Sequence, residues 1–240
     1  MKHLALAISL AAAFAAGNAQ AVVVTQWNFN SATPDGNTGT GTILPAIGTG
    51  TASLVGGVTA TFASGDASGG SSDSATGDDS GWNTTNYTPQ GTGNKTRGAQ
   101  FSVSTVGFQN VVVSYDLRHS NTSSRYEQFQ YSTDGLNFVD FMSFDGNAGD
   151  AWFNGRSVDL SGVAGVNNNA NFAFRVVSAF APSTTAYAAS NPTSTYGTSG
   201  TWRFDMVTVS AAPVPEAETY AMMLAGLGLV GFMAARRRKA

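Results

Sequence analysis

Arg125-Tyr126-Glu127-Gln128-Phe129-Gln130-Tyr131-Ser132-Thr133-Asp134-Gly135-Leu136-Asn137-Phe138-Val139-Asp140-Phe141-Met142-Ser143 holds two runs of alternating character separated by Asp134-Gly135. Alternate residues of an extended chain face opposite sides, so a period of two marks a half-buried strand. Asp-Gly tolerates positive φ and favours a tight turn. The stretch therefore reads as a hairpin, with strands over 125–132 and 137–143 side by side. The same period recurs outward in both directions, over 22–29, 52–62, 99–106, 109–119, 151–160, 171–177 and 202–209, without a sustained 3.6-residue pattern between. Nine short strands predict an all-β fold, a two-sheet antiparallel β-sandwich. Residues 65–98 carry few aliphatic side chains and read as a long surface loop packed locally by Trp82 and Tyr87. Residues 181–200 form a second such loop, held by Tyr187 and Tyr196. No internal repeat of fixed period is present, which disfavours solenoids and propellers.

The chain has 240 residues, and with both ends set aside it accommodates one domain with a sizeable core. Charged residues make up 11%, against roughly a quarter in an average soluble protein. Between residues 22 and 212 seven basic side chains face thirteen acidic ones, a balance of −6. That argues against a nucleic-acid partner. With no cysteine, a disulfide framework, a thiolate zinc site and a cysteine nucleophile are all excluded.

The ends have their own logic. Met1-Lys2-His3 is a short basic start, residues 4–16 are small and apolar apart from Ser9, and Ala19-Gln20-Ala21 has the small-x-small pattern of a signal-peptidase site. Residues 1–21 read as a secretory signal helix cleaved after Ala21. At the other end, residues 220–235 run without a charge into Arg236-Arg237-Arg238-Lys239. At 1.5 Å per residue this run spans about 24 Å, short of the ~30 Å hydrocarbon core. It reads as a hydrophobic helix that anchors the chain transiently in the inner membrane, its basic cluster held in the cytoplasm. Gly226, Gly228 and Gly231 weaken that helix.

Val214-Pro215-Glu216, Tyr220, Leu224, Gly226-Leu227-Gly228 and the terminal Arg236-Arg237-Arg238 run together resemble the PEP-CTERM sorting signal of Gram-negative bacteria. Ala217 stands where a second proline usually follows the glutamate. The resemblance covers residues 213–240. It implies processing by an exosortase, removal of the tail, and delivery to the cell surface or beyond it, where an exopolysaccharide matrix is the expected partner. Upstream, Trp27-Asn28-Phe29, the Tyr131–Gly135 turn and the final run Trp202-Arg203-Phe204-Asp205-Met206-Val207-Thr208-Val209 resemble galactose-binding-like jelly-roll modules, with residues 22–212 as the sandwich.

Side chains suited to catalysis are few. His119 is the one imidazole that survives signal removal, and no Gly-x-Ser-x-Gly turn is present to expose a nucleophile. A glycosidase needs two carboxylates of different character, yet the body's single glutamate, Glu127, reads as a partner for a neighbouring arginine. His119 reads as a surface or strand-end residue. A binding face is the better candidate: Asp116 and Arg118, then Tyr126, Gln128 and Gln130, with Arg175 further on, fall on alternate positions of neighbouring strands. Such planar polar groups suit vicinal hydroxyls, although the wet face of an antiparallel sheet alternates in the same way. Asp145, Asn147 and Asp150 offer hard oxygen ligands within six residues for a structural calcium. Resemblance to the jelly-roll modules adds Asp205 as a further candidate ligand. The reading is a monomeric, non-enzymatic surface or matrix protein; a glycan-binding adhesive module and a secreted polysaccharide or ester hydrolase are the alternatives.

Overall fold

The computed structural model of the chain describes residues 20–215 and 217–237. The expected signal helix with Ala19, and the motif residues Glu216, Arg238 and Lys239, lie outside the described residues. Eleven strands are formed, β1 (Val22–Trp27), β2 (Thr51–Val55), β3 (Thr59–Ser64), β4 (Ser80–Thr85), β5 (Gly98–Ser102), β6 (Phe108–His119), β7 (Tyr126–Ser132), β8 (Val139–Asp145), β9 (Ala151–Asp159), β10 (Ala173–Ala179) and β11 (Trp202–Pro213), followed by α1 (Ala217–Arg237). They build two antiparallel sheets: sheet A in the order β3-β4-β11-β6-β9, with β1 on β11, and sheet B in the order β2-β5-β10-β7-β8. The hairpin expected around Asp134-Gly135 is the β7–β8 pair.

Two expectations about the strands are corrected. The run 52–62 is not one strand. Gly56 and Gly57 adopt φ of +72° and +87° and break it, sending β2 to sheet B and β3 to sheet A. The stretch 65–98 is not wholly a surface loop either. Its Ser80–Thr85 segment is an inner strand of sheet A, and Trp82 is a core side chain. The few aliphatic residues there hid a strand whose apolar area is one indole. By contrast 181–200 is a loop as expected, with Tyr187 stacked on Tyr196 at 4.6 Å and meeting Phe180 edge-on.

The core is aromatic. Phe101 stacks on Phe174 at 5.1 Å and Phe174 on Phe129 at 5.4 Å across three adjacent strands of sheet B, while Trp27, Trp82 and Phe204 of sheet A, with Phe29 just past β1, close on this row. On β6 the inward positions are Val111, Val113, Tyr115, Leu117 and His119, all buried. On β11 the inward parity changes from Trp202 and Phe204 to Val207, Val209 and Ala211 across a bulge at which Met206 takes φ +45°.

His119 is not at the surface: it and Glu127 are both fully buried between the sheets. The Glu127 carboxylate is held from the facing sheet, by His119 Nε2 at 2.8 Å, Tyr115 Oη at 3.0 Å and Arg156 Nη2 at 3.2 Å. The expected arginine partner is thus found, but across the sandwich rather than across a strand pair. Removing one member of a buried ionic network strands the others. Glu127→Ala is expected to cost about 3–5 kcal/mol of folding stability, read by denaturant unfolding; a loss below about 1 kcal/mol would show that the network contributes little.

α1 realises the expected carboxyl-terminal helix over 21 residues. Among the described residues, however, no helix is long and apolar enough to cross a membrane, so the expected transmembrane span is not met.

Candidate functional site

The outer face of sheet B is set by register. Arg175 on β10 lies opposite Gln100 of β5 and Gln130 of β7, and Gln130 lies opposite Asp140 of β8. Ser53 of β2 faces Gln100, completing a polar row across five strands, about 19 Å wide at the usual strand spacing. Arg175 Nε donates to Gln100 Oε1 at 2.8 Å, and Gln130 Nε2 to Asp140 Oδ1 at 2.8 Å. One step along the strands, the Ser143 hydroxyl donates to Gln128 Oε1 at 2.9 Å. Phe138 folds over the row with its ring centroid 3.6 Å from the Arg175 guanidinium. Beside it, Asn94, Lys95, Tyr126, Gln128, Ser143 and the 179–184 loop line a cleft of about 260 Å³. Lys95 pairs with Asp140 at its rim, and this pairing holds the Asp140 carboxyl below its ordinary range despite partial burial. Tyr126, Gln128, Gln130 and Arg175 are therefore brought together as anticipated.

Arg118 is not with them. β6 and β7 are consecutive but belong to opposite sheets, so alternation along each strand carries Arg118 to the outer face of sheet A. There it pairs with Asp150 beside Arg203 of β11. The connection 120–125, which crosses between sheets, is what sequence spacing missed.

The outer face of sheet A holds a different group. Asp116 and Asp205 are register partners on β6 and β11, and the 65–79 loop covers them. Ser72 and Gly155 backbone amides donate to the two Asp116 oxygens at 2.6 and 2.7 Å, which satisfies that carboxylate. Asp205 is not satisfied in the same way. Its Oδ1 accepts the Met206 amide at 2.7 Å, while Oδ2 is buried without a partner, as is Oδ1 of Asp79. One carboxylate oxygen each from Asp73, Asp79 and Asp205 lie within 4.8 Å of one another. Asn30 props the cluster, its Nδ2 donating to Asp73 Oδ2 at 2.9 Å and its Oδ1 accepting from Ser80 N at 2.7 Å. Burial and the neighbouring Asp79 push the Asp205 carboxyl up to about 10, and burial likewise raises Asp79. Arg203, buried beside them, falls to about 10.

Asp205 thus joins acidic residues of the 65–79 loop rather than the Asp145–Asp150 turn. In that turn Asp145 is engaged by Arg125 through two bonds of 2.7 Å and Asp150 by Arg118, while Asn147 is exposed. Arginines therefore occupy the oxygens that the spacing offered to a cation. No local signal singled out Asp73 or Asp79, since a cluster made by folding a loop over a sheet leaves no spacing pattern. His119 and Glu127, the candidates for acid–base work, are sealed in the core and cannot meet a polymer.

An all-β sandwich with a grooved polar sheet face and a separate sorting tail is the class these observations define. Residues 213–239 match the PEP-CTERM protein-sorting motif. The motif implies processing by an exosortase and export across the inner membrane. No curated protein matches the chain. Among solved structures, the chain is similar to the N-terminal tandem of CBM22 modules from Paenibacillus barcinonensis, with 12% identity, a TM-score of 0.46, and coverage of 82% of this chain and 46% of that one. It is similar also to the CBM22-1–GH10 modules of a Clostridium thermocellum endo-1,4-beta-D-xylanase complexed with xylohexaose, at 14% identity and TM-score 0.45, covering 82% of this chain and 30% of that one. A third likeness is the K2 cleaved adhesin domain of Lys-gingipain, at 14% identity and TM-score 0.40, covering 81% and 98% of the two chains. The chain spans less than half the length of the first two.

Gly65 marks how tightly the acidic cluster is packed. A Cβ at this position would fall 2.1 Å from Asp79 Oδ1. Gly65→Ala is expected to displace the carboxylate and cost about 1–3 kcal/mol, the range for overpacking, measured by thermal or denaturant unfolding; an unchanged midpoint would show that the cluster has room to give.

Proposed function

We propose that the chain is an exported surface protein that binds a glycan on the outer face of sheet B, with its tail processed by an exosortase. The observation that carries the binding reading is the burial of outward-facing amides. Gln128 and Gln130 point away from the core, yet they are only 4% and 9% exposed. Phe138, Lys95 and the 179–184 loop stand around them and turn a flat face into a cleft. A plain solvated face would leave such amides open to water. Sugar hydroxyls both donate and accept, as do the Gln, Ser and Tyr groups assembled here, and preorganised polar groups in a concave site are the usual basis of small-molecule specificity. The sorting route supports an exopolysaccharide as the partner, because it delivers the sandwich to where such polymers lie. With His119 and Glu127 in the core, binding without turnover is the favoured reading over hydrolysis.

Affinity electrophoresis of the full chain through gels containing soluble polysaccharides tests this reading. Retardation by at least one polymer is expected, together with a loss of several-fold or more in Gln128→Ala or Gln130→Ala and no release of reducing ends. Free migration through neutral and acidic polymers alike would overturn it.

The acidic cluster is proposed to hold a structural calcium. Asp73, Asp79 and Asp205 would be its ligands and Asn30 the group that positions them. The donor set fits, because hard carboxylate oxygens suit calcium and two of them are buried without any other partner. When bound, the cation would displace the proton that burial and Asp79 hold on Asp205 and offset the charge of all three carboxylates, pinning the 65–79 loop to β11. At calcium a hundredfold above its dissociation constant, linkage gives about 2.7 kcal/mol. That corresponds to roughly 5–10 °C in the melting midpoint of a domain this size. Chelation should reverse the gain, and Asp205→Asn should abolish the calcium response. A midpoint indifferent to calcium in the parent chain would sink the assignment.

A further inference from the structure

Seven basic side chains belong to the sandwich, and of the three without a carboxylate partner among the described residues, Arg97, Arg175 and Arg203, Arg175 is the one on a strand of sheet B. Lys95, Arg118, Arg125 and Arg156 each face a carboxylate, in Asp140, Asp150, Asp145 and Glu127 respectively. Arg97 donates to the Asn86 carbonyl, and Arg203 donates to the Ser64 carbonyl beside the acidic cluster. Arg175 stands at the centre of sheet B, on the strand between β5 and β7. Its partners among the described residues are both neutral, Gln100 Oε1 at 2.8 Å from Nε and the Phe138 ring 3.6 Å from the guanidinium centre. Partial burial lowers its pKa, with no opposing charge to offset that cost. A guanidinium stacked on a ring and fixed at Nε keeps its two terminal amino groups for a planar acceptor. A carboxylate meets that fork with two parallel hydrogen bonds.

Four of the other charges around the face cancel in pairs. Lys95 pairs with Asp140 and Arg125 with Asp145. Asp134, at the turn end of the face, is held by the amides of Leu136 and Asn137 and by the Asn137 side chain. Asp134 keeps its negative charge, but within the row itself, Ser53, Gln100, Arg175, Gln130 and Asp140, Arg175 is the one charge without an opposite partner among the described residues, on a body whose sum is −6. Long-range repulsion from that body is screened beyond about 8 Å at physiological ionic strength, whereas a bidentate contact is not.

We infer that the glycan received by sheet B is acidic, a polymer containing hexuronate units, with the uronate carboxylate bound by the Arg175 guanidinium and the flanking hydroxyls taken by Gln130, Gln128 and Ser143. This rests on the glycan reading above and narrows it to one chemical class. The decisive comparison keeps the sugar backbone constant and removes only its charge. Oligogalacturonate, its methyl ester and neutral xylo-oligosaccharide are titrated into the full chain by calorimetry, in parent, Arg175→Gln and Arg175→Lys proteins whose melting midpoints are matched first. The acid is expected to bind at least tenfold more tightly than its methyl ester. Arg175→Gln should erase that margin, Arg175→Lys should recover only part of it, and 0.5 M salt should weaken the acid alone. If the ester or the xylo-oligosaccharide binds as well as the acid and Arg175→Gln changes nothing, the acidic assignment is overturned while the glycan reading stands. If none of the three binds, both fall.

Discussion

A carboxylate that points into the core is the constraint around which this sandwich is arranged. Glu127 lies on an inward position of β7, flanked along the strand by Phe129, and an ionised group there is tolerable only with donors on every side. All three donors, His119, Tyr115 and Arg156, come from β6 and β9 of the opposite sheet. The two sheets are thereby locked face to face, and β7 cannot slip by one residue in its register with β8 and β10, because that would turn Glu127 outward and Gln128 inward. The imidazole is itself fixed, since its other nitrogen meets the Ser124 carbonyl at 2.9 Å and the same oxygen accepts the Trp202 indole at 2.9 Å. Strand β11, which carries Asp205 on one side and the aromatic core on the other, is thereby tied to the connection between the sheets.

The two outer faces then diverge in role. Sheet A is covered by the 65–79 loop, which brings Asp73 and Asp79 down onto Asp205 and hides a concentration of negative charge. Sheet B has no such cover over its whole outer row, and its grooved shape comes from the 179–184 loop and Phe138. One face thus buries acidic groups suited to a cation, and the other holds a row of sheltered amides around the Arg175 guanidinium. The separation has a packing origin: the Tyr187–Tyr196–Phe180 cluster fastens the second loop beside sheet B, whereas hydrogen bonds from Ser72 to Asp116 and from Asn154 to the Gly70 carbonyl hold the first loop to sheet A.

Much of this was legible beforehand. The Asp134-Gly135 turn, the alternation of β6 and β7 and the tail motif at Val214-Pro215 and Arg236-Arg237 are local patterns, and local chemistry decided them. Tyr126, Gln128, Gln130 and Arg175 could be grouped correctly because β7 and β10 are neighbours in register. Arg118 was grouped with them wrongly, since nothing in the spacing of β6 and β7 says that the chain changes sheets between His119 and Tyr126. Strand β4 was missed because Ser80–Thr85 offers one large apolar side chain, and its pairing with β3 and β11 comes from partners distant in the sequence.

The sequence by itself determined the all-β character, the turn chemistry, the polar composition of the candidate face and the sorting tail, because periodicity, glycine freedom and an uncharged run ending in arginines act within a few residues. Only the tertiary structure decided which sheet each strand joins, that Glu127 and His119 are core rather than surface, and that Asp205 meets Asp73 and Asp79. Those outcomes depend on which loop closes over which face. That is settled by burying aromatic area and satisfying buried charge across more than a hundred residues of intervening chain, 125 between Asp79 and Asp205, and no short-range pattern records it.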